Sequence, residues 1–314
     1  MELIFPSESE AQAGLRALKS VLTCQAPLNP IETRLLEAGQ THILRRHFDI
    51  DALPPIEPAE LAERIQGSAL REQIITAMIV CSFASGDASD VQIQWIEEYA
   101  AALDVEQPAV EDLRLLVHRR LAALRFDILR HMYIGEGLGQ LWEDEGFKGL
   151  YKVVGGFKGW HEEPEVAARY QALGDLALGS LGRTYFDHCR AGGFALPGER
   201  FAAPEAITTH DIAHVLGGYG TDAEGELQVA AFTAGFRREQ SLYIMLFVLC
   251  QFDLGVTMVP VAAPQLGNLD PELFMRALIR GSKMTVDLFG DWDFWEVCEE
   301  SVEVLRERYG ISAA

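Results

Sequence analysis

The sequence predicts an all-α protein in which a helical N-terminal bundle is followed by a larger all-helical domain. Apolar residues recur at three- and four-residue spacing along most of the chain, and no segment alternates as a half-buried strand does. Proline, aspartate and glycine stand where helices typically begin and end. With 314 residues, 49% of them hydrophobic, the chain is long enough for two domains or for one large one.

The first 130 residues carry the clearest helical periodicity. Leu15, Leu18 and Leu22 fall on one face of a helix. The same spacing is found at Ile75, Met78, Ile79 and Phe83, at Trp95, Ile96, Tyr99 and Leu103, and at Val110, Leu113, Val117, Leu121 and Leu124. Prolines at 54, 55 and 58 mark a turn before a helix that starts near residue 59. We therefore expect residues 1–130 to form a helical bundle.

Part of this bundle carries a family resemblance. Residues 84–105, from Ala-Ser-Gly-Asp through Leu-Asp-Val, have an acidic loop, an amphipathic helix and a closing turn. This stretch resembles the tellurite-resistance TerB-like family. Ser85 and Gln92 replace an aspartate and a glutamate of that family, so the resemblance implies the fold of this stretch and no ion site.

A connecting segment is expected at 131–164, and its centre, 146–160, combines glycines with aromatic and basic residues. Phe147, Tyr151, Phe157 and Trp160 are interleaved with Lys148, Lys152 and Lys158, which are three of the five lysines in the chain. Aromatic residues beside lysines suit a membrane interface or an anionic lipid head group. A flexible hairpin between domains, with its aromatics packed inward, explains the pattern equally.

The C-terminal domain is expected at 165–314. Asp270 and Pro271 have the pattern of an N-cap and first helical residue, after which Phe274, Leu278 and Ile279 face inward. The last helix is expected from about Asp293 to Tyr309, with Gly310 as its stop signal.

Charge and cysteine content limit the classes of partner and compartment. A net charge of −21 argues against nucleic acid as a partner and against simple adsorption to anionic lipid. The five cysteines are scattered and unpaired in sequence, which is typical of reduced thiols in the cytosol. The N-terminus has no signal or transit pattern, and the most apolar run, Leu242–Cys250, is too short to span a bilayer. We expect a cytoplasmic protein; the lysine–aromatic segment leaves peripheral contact with the inner face of a membrane open.

The pattern with the clearest chemistry is His210-Asp211-Ile212-Ala213-His214. Two histidines four residues apart lie on one face of a helix and can bind one metal ion. Glycines at 217, 218 and 220 then end the helix, and a short reversal would return Glu226 to the same face. Two imidazoles and one carboxylate leave a coordination position open, as catalytic sites do. The pattern predicts a divalent metal site, with zinc as its ion.

Simpler interpretations of the same residues exist. Asp211 could only cap its helix, and Glu226 could only stabilise the start of the next helix. The His-Asp doublet also suits a metal-dependent phosphohydrolase, which needs another histidine upstream and an aspartate downstream. His188 and Asp253 are the residues available for those two roles.

The complete string resembles the coenzyme Q (ubiquinone) biosynthesis protein Four family. The shared elements are His210-Asp211-x-x-His214 followed after eleven residues by Glu226, and the intervening run from His214 to Asp222. Upstream, Leu181–Tyr185 resembles the Gly-Arg-x-Tyr element of the family, and downstream Trp292–Arg306 and Tyr309–Ile311 resemble its closing helix. The resemblance covers about half the chain.

The resemblance implies an all-helical domain that binds zinc and holds a polyprenyl tail among apolar helices. His210, His214 and Glu226 would be ligands, and Asp211 would be a ligand, an orienting residue or a catalytic general base. The tail would lie against 242–249 and 256–261. Substrate or lipid contacts are expected at Arg183, Tyr185, Tyr219 and Phe247.

Three functions follow from the resemblance. The first is a metal-dependent enzyme, a lyase or oxidative decarboxylase, acting on a prenylated or hydrophobic aromatic ring. The second is a non-catalytic, lipid-binding organiser of other quinone-biosynthesis proteins. The third is a relative recruited to specialised natural-product metabolism, which the long N-terminal extension leaves open. A homo-oligomer is expected in each case.

Overall fold

In the computed structural model, residues 3–133, 162–203, 205, 208–259, 262–290 and 292–313 are described. Every regular element in these ranges is a helix, and two isolated bridges, Ser180 with Ser301 and Leu254 with Leu266, are the other pairings. The all-α prediction is confirmed. The lysine–aromatic segment, 146–160, lies outside the described residues.

The α-helices are numbered here in chain order. They are α1 (Glu8–Leu22), α2 (Pro30–Gly39), α3 (Pro58–Arg64), α4 (Ser68–Ser85), α5 (Asp90–Leu103), α6 (Ala109–Val117), α7 (Leu121–Tyr133), α8 (Pro164–Gln171), α9 (Leu181–Gly192), α10 (Thr208–Gly217), α11 (Ala223–Phe236), α12 (Ser241–Phe252), α13 (Pro271–Ser282), α14 (Phe294–Val297) and α15 (Val302–Tyr309). A π-helical turn at Gln40–Leu44 follows α2, and a 3₁₀ turn at Ala172–Asp175 follows α8. In the described part of the chain, no helix is both long enough and apolar enough to cross a bilayer.

The helices fall into two compact units. The first unit contains the chain up to Leu129 together with Leu242–Ile279. The second unit contains the described residues of Arg130–Ser241 and of Arg280–Ala314. The ranges expected from the sequence, 1–130 and 165–314, stay predictions for the domains. In the structure, residues 242–279 belong to the first unit.

The assignment of 242–279 to the first unit has a physical basis in α12 and α13. Helix α12 is apolar on every face, so it needs packing partners all round, and Leu246, Leu249 and Cys250 are completely buried. Asp270, at the start of α13, forms an ion pair with Arg34 of α2 at 2.7 Å. Glu272 contacts His42 of the π-helical turn at 2.6 Å.

The core of the first unit follows the periodicity read from the sequence. Ile75, Met78, Ile79 and Phe83 of α4 are completely buried, and so are Ile96, Tyr99 and Leu103 of α5. The two positions that differ from the TerB-like pattern serve helix ends. Gln92 forms a reciprocal capping pair with Ser89 at the start of α5, and the Ser85 hydroxyl donates to the Ser82 carbonyl at the end of α4.

In the second unit, backbone hydrogen bonds link the start of α9 to residues 298–300. The backbone N–H of Leu181 donates to the Glu300 carbonyl at 2.8 Å, and that of Gly182 donates to the Cys298 carbonyl at 2.7 Å. The closing helix, expected as one element from Asp293, is instead broken between α14 and α15. Because the helix is broken there, these two carbonyls have no helical partner. They accept instead from N–H groups in the first turn of α9, which also lack partners within their helix. Gly310, at φ +74°, ends α15 as predicted.

Replacing Gly281 by alanine should destabilise the second unit. A Cβ at Gly281 of α13 would lie 1.9 Å from the Phe232 carbonyl oxygen of α11, and neither backbone can give way cheaply. We expect Gly281→Ala to lower the free energy of unfolding by about 2 kcal/mol or more, measured by urea denaturation. Gly39→Ala is the matched control, because its Cβ would enter open space on a helical backbone. It should stabilise by about 0.5 kcal/mol. Equal effects at both glycines would contradict the close approach of α13 to α11.

Glu199 should give the second unit a pH-dependent stability. The Arg190 guanidinium, with the Gln171 amide and the Leu196 N–H, holds the pKa of this carboxyl at about 2. A depressed pKa stabilises the fold above the unfolded value, and this contribution is lost as pH falls through the folded value. Glu199→Gln should therefore cost about 1 kcal/mol at pH 7, and the difference from wild type should shrink between about pH 4.5 and pH 2. Denaturation curves across this range test it. The exposed Glu307→Gln serves as control, and a difference for Glu199→Gln that is constant with pH would contradict the assignment.

Candidate metal centre

Helix α10 places two imidazoles beside each other. It begins at Thr208 and carries His210 and His214 on successive turns. Residues four apart face the same side of a helix, and the two Nε2 atoms are 3.2 Å apart. Two ring nitrogens at this distance on one face can both reach a single ion.

The chain reverses sharply after α10. Gly218 takes a left-handed conformation at φ +73°, and its N–H donates to the His214 carbonyl at 2.7 Å. Asp222 then caps α11 by accepting from the Gly225 N–H at 2.8 Å. Gly225 is packed so closely that a Cβ would lie 2.1 Å from the Gly220 carbonyl oxygen. Only glycine fits there, and the next residue, Glu226, is thereby turned toward α10.

Glu226 completes a group of three potential ligands. Its Oε2 lies 3.3 Å from His210 Nε2, and its Oε1 lies 3.4 Å from His214 Nε2. Four ligands at about 2.0–2.1 Å from a tetrahedral ion lie about 3.3–3.4 Å from one another. The contacts of Glu226 use a different oxygen toward each imidazole, and one ligand atom from each of the three side chains lies within 4.8 Å of the other two. The closest approaches are thus on the scale of ligands that share one ion. Across the described residues this is the group of His, Cys, Asp and Glu side chains that could hold a metal ion.

The surroundings of the three side chains are unequal. The His214 side chain is 1% exposed, that of Glu226 is 18% exposed and that of His210 is 36% exposed, so solvent reaches the group past His210. Burial opposes ionisation of Glu226, yet the two imidazoles facing it hold the pKa of its carboxyl at about 2. Glu226 is thus a carboxylate at neutral pH, which is the form that binds a cation.

Tyr219 fixes the orientation of His214. The Tyr219 carbonyl lies 3.3 Å from His214 Nδ1, and because a carbonyl can only accept, Nδ1 carries the proton. Such a hydrogen bond leaves the Nε2 lone pair available for a metal and holds the ring in place. The Tyr219 side chain also contributes, since its hydroxyl accepts from Arg280 at 2.6 Å and its ring packs against Phe232.

Two arginines from distant parts of the chain hold the C-terminal end of α10. Arg306 of α15 donates to the carbonyls of Leu216 at 2.9 Å and Val215 at 3.0 Å. Arg280 of α13 donates to the Gly217 carbonyl at 2.9 Å. Carbonyls in the last turn of a helix lack internal partners and favour positive charge. No pattern in the sequence indicates these contacts, which join residues 63 to 91 positions apart.

Asp211 does not join the converging group. Its carboxylate is not among the ligand atoms that lie together, and the side chain is half-buried near them. Desolvation raises the pKa of Asp211, and the fields of His210 and His214 oppose that rise. The roles of ligand, orienting residue and general base all stay predictions for Asp211.

The four residues expected to contact substrate or lipid have different surroundings. Arg183 is paired with Asp187 at 3.0 Å and also donates to the Gly174 carbonyl. Tyr185 is 1% exposed, in a cluster with Tyr170 and Phe294. These contacts are internal ones. Tyr219 supports His214 as described, and the half-buried Phe247 lies on α12 in the first unit.

The two residues of the phosphohydrolase alternative, His188 and Asp253, belong to different units. Asp253 lies in the first unit, where it accepts from the Leu269 N–H at 2.8 Å. His188 of α9 lies in the second unit with its ring stacked on that of His214, the centroids 5.6 Å apart. The structure thus brings His188 to the group, a position the sequence suggested only through that alternative.

The fold and this group define a class: an all-α protein with a candidate three-ligand metal centre. Comparison with known proteins adds no narrower assignment. No family pattern matches the chain, and no curated protein matches it at a significant level.

The hydrogen bonds of Arg306 to the end of α10 should contribute more to the free energy of unfolding than a surface ion pair does. Arg306→Gln would leave the Leu216 and Val215 carbonyls without their donor, and we expect a loss of about 2 kcal/mol in unfolding free energy. Arg308, two residues further along α15, is half exposed and pairs with Glu300. Arg308→Gln should cost clearly less than Arg306→Gln, because solvent screens an exposed ion pair. Urea denaturation of both variants provides the comparison, and an Arg306 effect no larger than the Arg308 effect would count against the capping role.

Proposed function

We propose that this protein binds zinc through His210, His214 and Glu226 and acts on a prenylated or otherwise hydrophobic aromatic ring in ubiquinone-type biosynthesis. The observation that carries the proposal is the convergence of the three side chains: one ligand atom from each lies within 4.8 Å of the other two. The closest approach in each pair of side chains is 3.2–3.4 Å. The reaction belongs to the decarboxylation or hydroxylation class. Zinc has no redox chemistry, so hydroxylation would use dioxygen as the oxidant of an electron-rich ring, whereas decarboxylation alone needs none.

The donor set suits the ion. Two imidazoles and one carboxylate are a recurrent ligand set of catalytic zinc, and they leave a fourth position for substrate or water. A bound divalent ion is a Lewis acid that polarises a phenol or carboxylate oxygen of the ring and stabilises the charge that develops there. Structural zinc sites, by contrast, are closed by four protein ligands.

The protein's own residues divide the remaining tasks. His214, buried and held by the Tyr219 carbonyl, anchors the site, whereas the partly exposed edge of His210 admits the ring. Arg280 and Arg306 keep α10 in place while the ligand enters. Asp211, half-buried and one residue from the first ligand, is proposed to act as a further ligand, to orient the site or to act as general base.

The choice of substrate class is supported by the sequence string. The spacing from His210 through Glu226 and the flanking element at Leu181–Tyr185 resemble the coenzyme Q biosynthesis protein Four family. A hydrophobic ring or prenyl lipid is the corresponding partner. The same metal centre on a non-catalytic organiser of quinone-biosynthesis proteins is the alternative that an activity measurement separates.

Glu226→Gln should weaken zinc binding ten-fold or more, because a neutral amide replaces the carboxylate that balances the ion's charge. Glu224→Gln is the matched control, since Glu224 is an exposed glutamate in the same first turn of α11. It should change the dissociation constant less than two-fold, by the usual scale of exposed charges. Competition with a chromophoric chelator measures both constants. An unchanged constant for Glu226→Gln would remove Glu226 from the ligand set.

Zinc-loaded protein should convert a prenylated hydroxybenzoate, and His210→Ala should abolish both zinc binding and turnover. Metal content by elemental mass spectrometry and product by liquid chromatography are the two readouts. Zinc bound without turnover would reject the substrate assignment and favour the organiser. Failure of the wild-type protein to bind zinc would reject the metal centre itself.

A further inference from the structure

His188 is a polar residue beside the metal centre that has no task in the function proposed above. It projects from α9, and its ring lies nearly parallel to that of His214, with centroids 5.6 Å apart and planes 28° apart. Phe194 packs near it, with ring centroids 6.2 Å apart. The imidazole of His188 thus contacts two rings, that of the candidate ligand His214 and that of Phe194.

One ring nitrogen of His188 is left without a partner. Its Nε2 is buried, and no hydrogen-bonding atom in the described part of the chain reaches it. A buried polar atom with no partner costs roughly 1–3 kcal/mol, so such atoms in native proteins usually meet a water, an ion or a ligand. Other orphaned atoms in the described residues are mostly hydroxyl or amide oxygens, whereas this one neighbours the metal centre.

Two observations favour a place for His188 outside the metal's ligands: its absence from the ligand group and its ring contact with His214. The ligand atoms of His210, His214 and Glu226 lie within 4.8 Å of one another, and His188 is not a member of that group. A fourth tetrahedral ligand would have to lie about 3.3 Å from each of the three. A group that hydrogen-bonds an oxygen already on the ion lies further out, about 2.8 Å beyond that oxygen. The place of His188, beside the His214 ring, fits the second arrangement.

We propose that His188 is a positioning residue whose Nε2 hydrogen-bonds the oxygen atom that occupies the open position of the metal centre. The inference rests on the proposed metal centre and narrows its ligand: it selects phenols and carboxylates, which offer that oxygen, over ligands that offer none. The orphaned nitrogen gains its partner when an oxygen ligand holds that position, and it loses this partner when a ligand without oxygen displaces it.

The test uses the full-length protein loaded with Co²⁺, whose visible absorption reports ligands entering the open position. Benzoate is the oxygen-donor probe, and thiocyanate, which binds through nitrogen and carries no oxygen, is the control probe. His188→Gln places an amide near the position of Nε2, whereas His188→Asn places it near Nδ1. His188→Phe removes hydrogen bonding, and Phe194→Leu disturbs the neighbouring packing but keeps the imidazole.

We expect the His188→Asn and His188→Phe variants to bind benzoate about ten-fold more weakly than wild type, because they lose one hydrogen bond beside the metal site. The His188→Gln and Phe194→Leu variants keep that hydrogen bond, so their benzoate affinity should stay within about three-fold of wild type. Thiocyanate and Co²⁺ affinities should stay within three-fold of wild type throughout. If His188→Phe does not fold, the contrast between Gln and Asn decides.

Three results would overturn the inference. If every His188 variant binds benzoate with wild-type affinity, the proposed hydrogen bond does not exist, and the proposed metal centre is unaffected. A parallel loss of Co²⁺ affinity in the Gln, Asn and Phe variants would make His188 a ligand or a packing support for His214. Failure of wild-type protein to bind Co²⁺ would reject the metal centre, and His188's role would fall with it.

Discussion

The reversal between α10 and α11 is the constraint on which the candidate metal centre depends. Two histidines on one helix can coordinate an ion from one side only. The third ligand, Glu226, therefore has to come from the next helix. The contact of Gly225 with the Gly220 carbonyl, where a Cβ would lie 2.1 Å away, makes this return short enough. Gly218, in a left-handed conformation, starts the turn. Without these two glycines, Glu226 would face away from both imidazoles.

The same region is held from outside by charge. Arg280 and Arg306 come from α13 and α15 and donate to three successive carbonyls at the end of α10. Those carbonyls carry the negative end of the helix dipole, so the guanidiniums satisfy hydrogen bonds and charge together. The result is a stiff support under the buried His214, whereas the more exposed His210 borders solvent. This asymmetry gives a metal centre one anchored side and one accessible side.

The most apolar helix and the candidate metal centre belong to different units of the chain. Residues 242–279, which include α12 from its second residue onward, form a unit with the N-terminal helices. Helix α12 has no polar face, so its burial needs neighbours on all sides. The second unit resumes at Arg280, which donates to the Gly217 carbonyl at the end of α10. The segment therefore ends at a residue that supports the site.

The sequence by itself determined what depends on local spacing. The all-α class, the buried faces of α4 and α5, the cap at Asp270, the stop at Gly310 and the shared face of His210 and His214 all follow from the 3.6-residue period and from the backbone preferences of aspartate, proline and glycine. Only the tertiary structure decided the rest. Asp211 is about 100° round the helix from His210, and its carboxylate lies near the three-residue group without being part of it. The partners Arg306, Arg280 and His188, the break before α15 and the place of 242–279 depend on contacts between distant segments. Such contacts leave no periodic trace in the sequence, because they are selected by packing and by the need to satisfy buried polar groups.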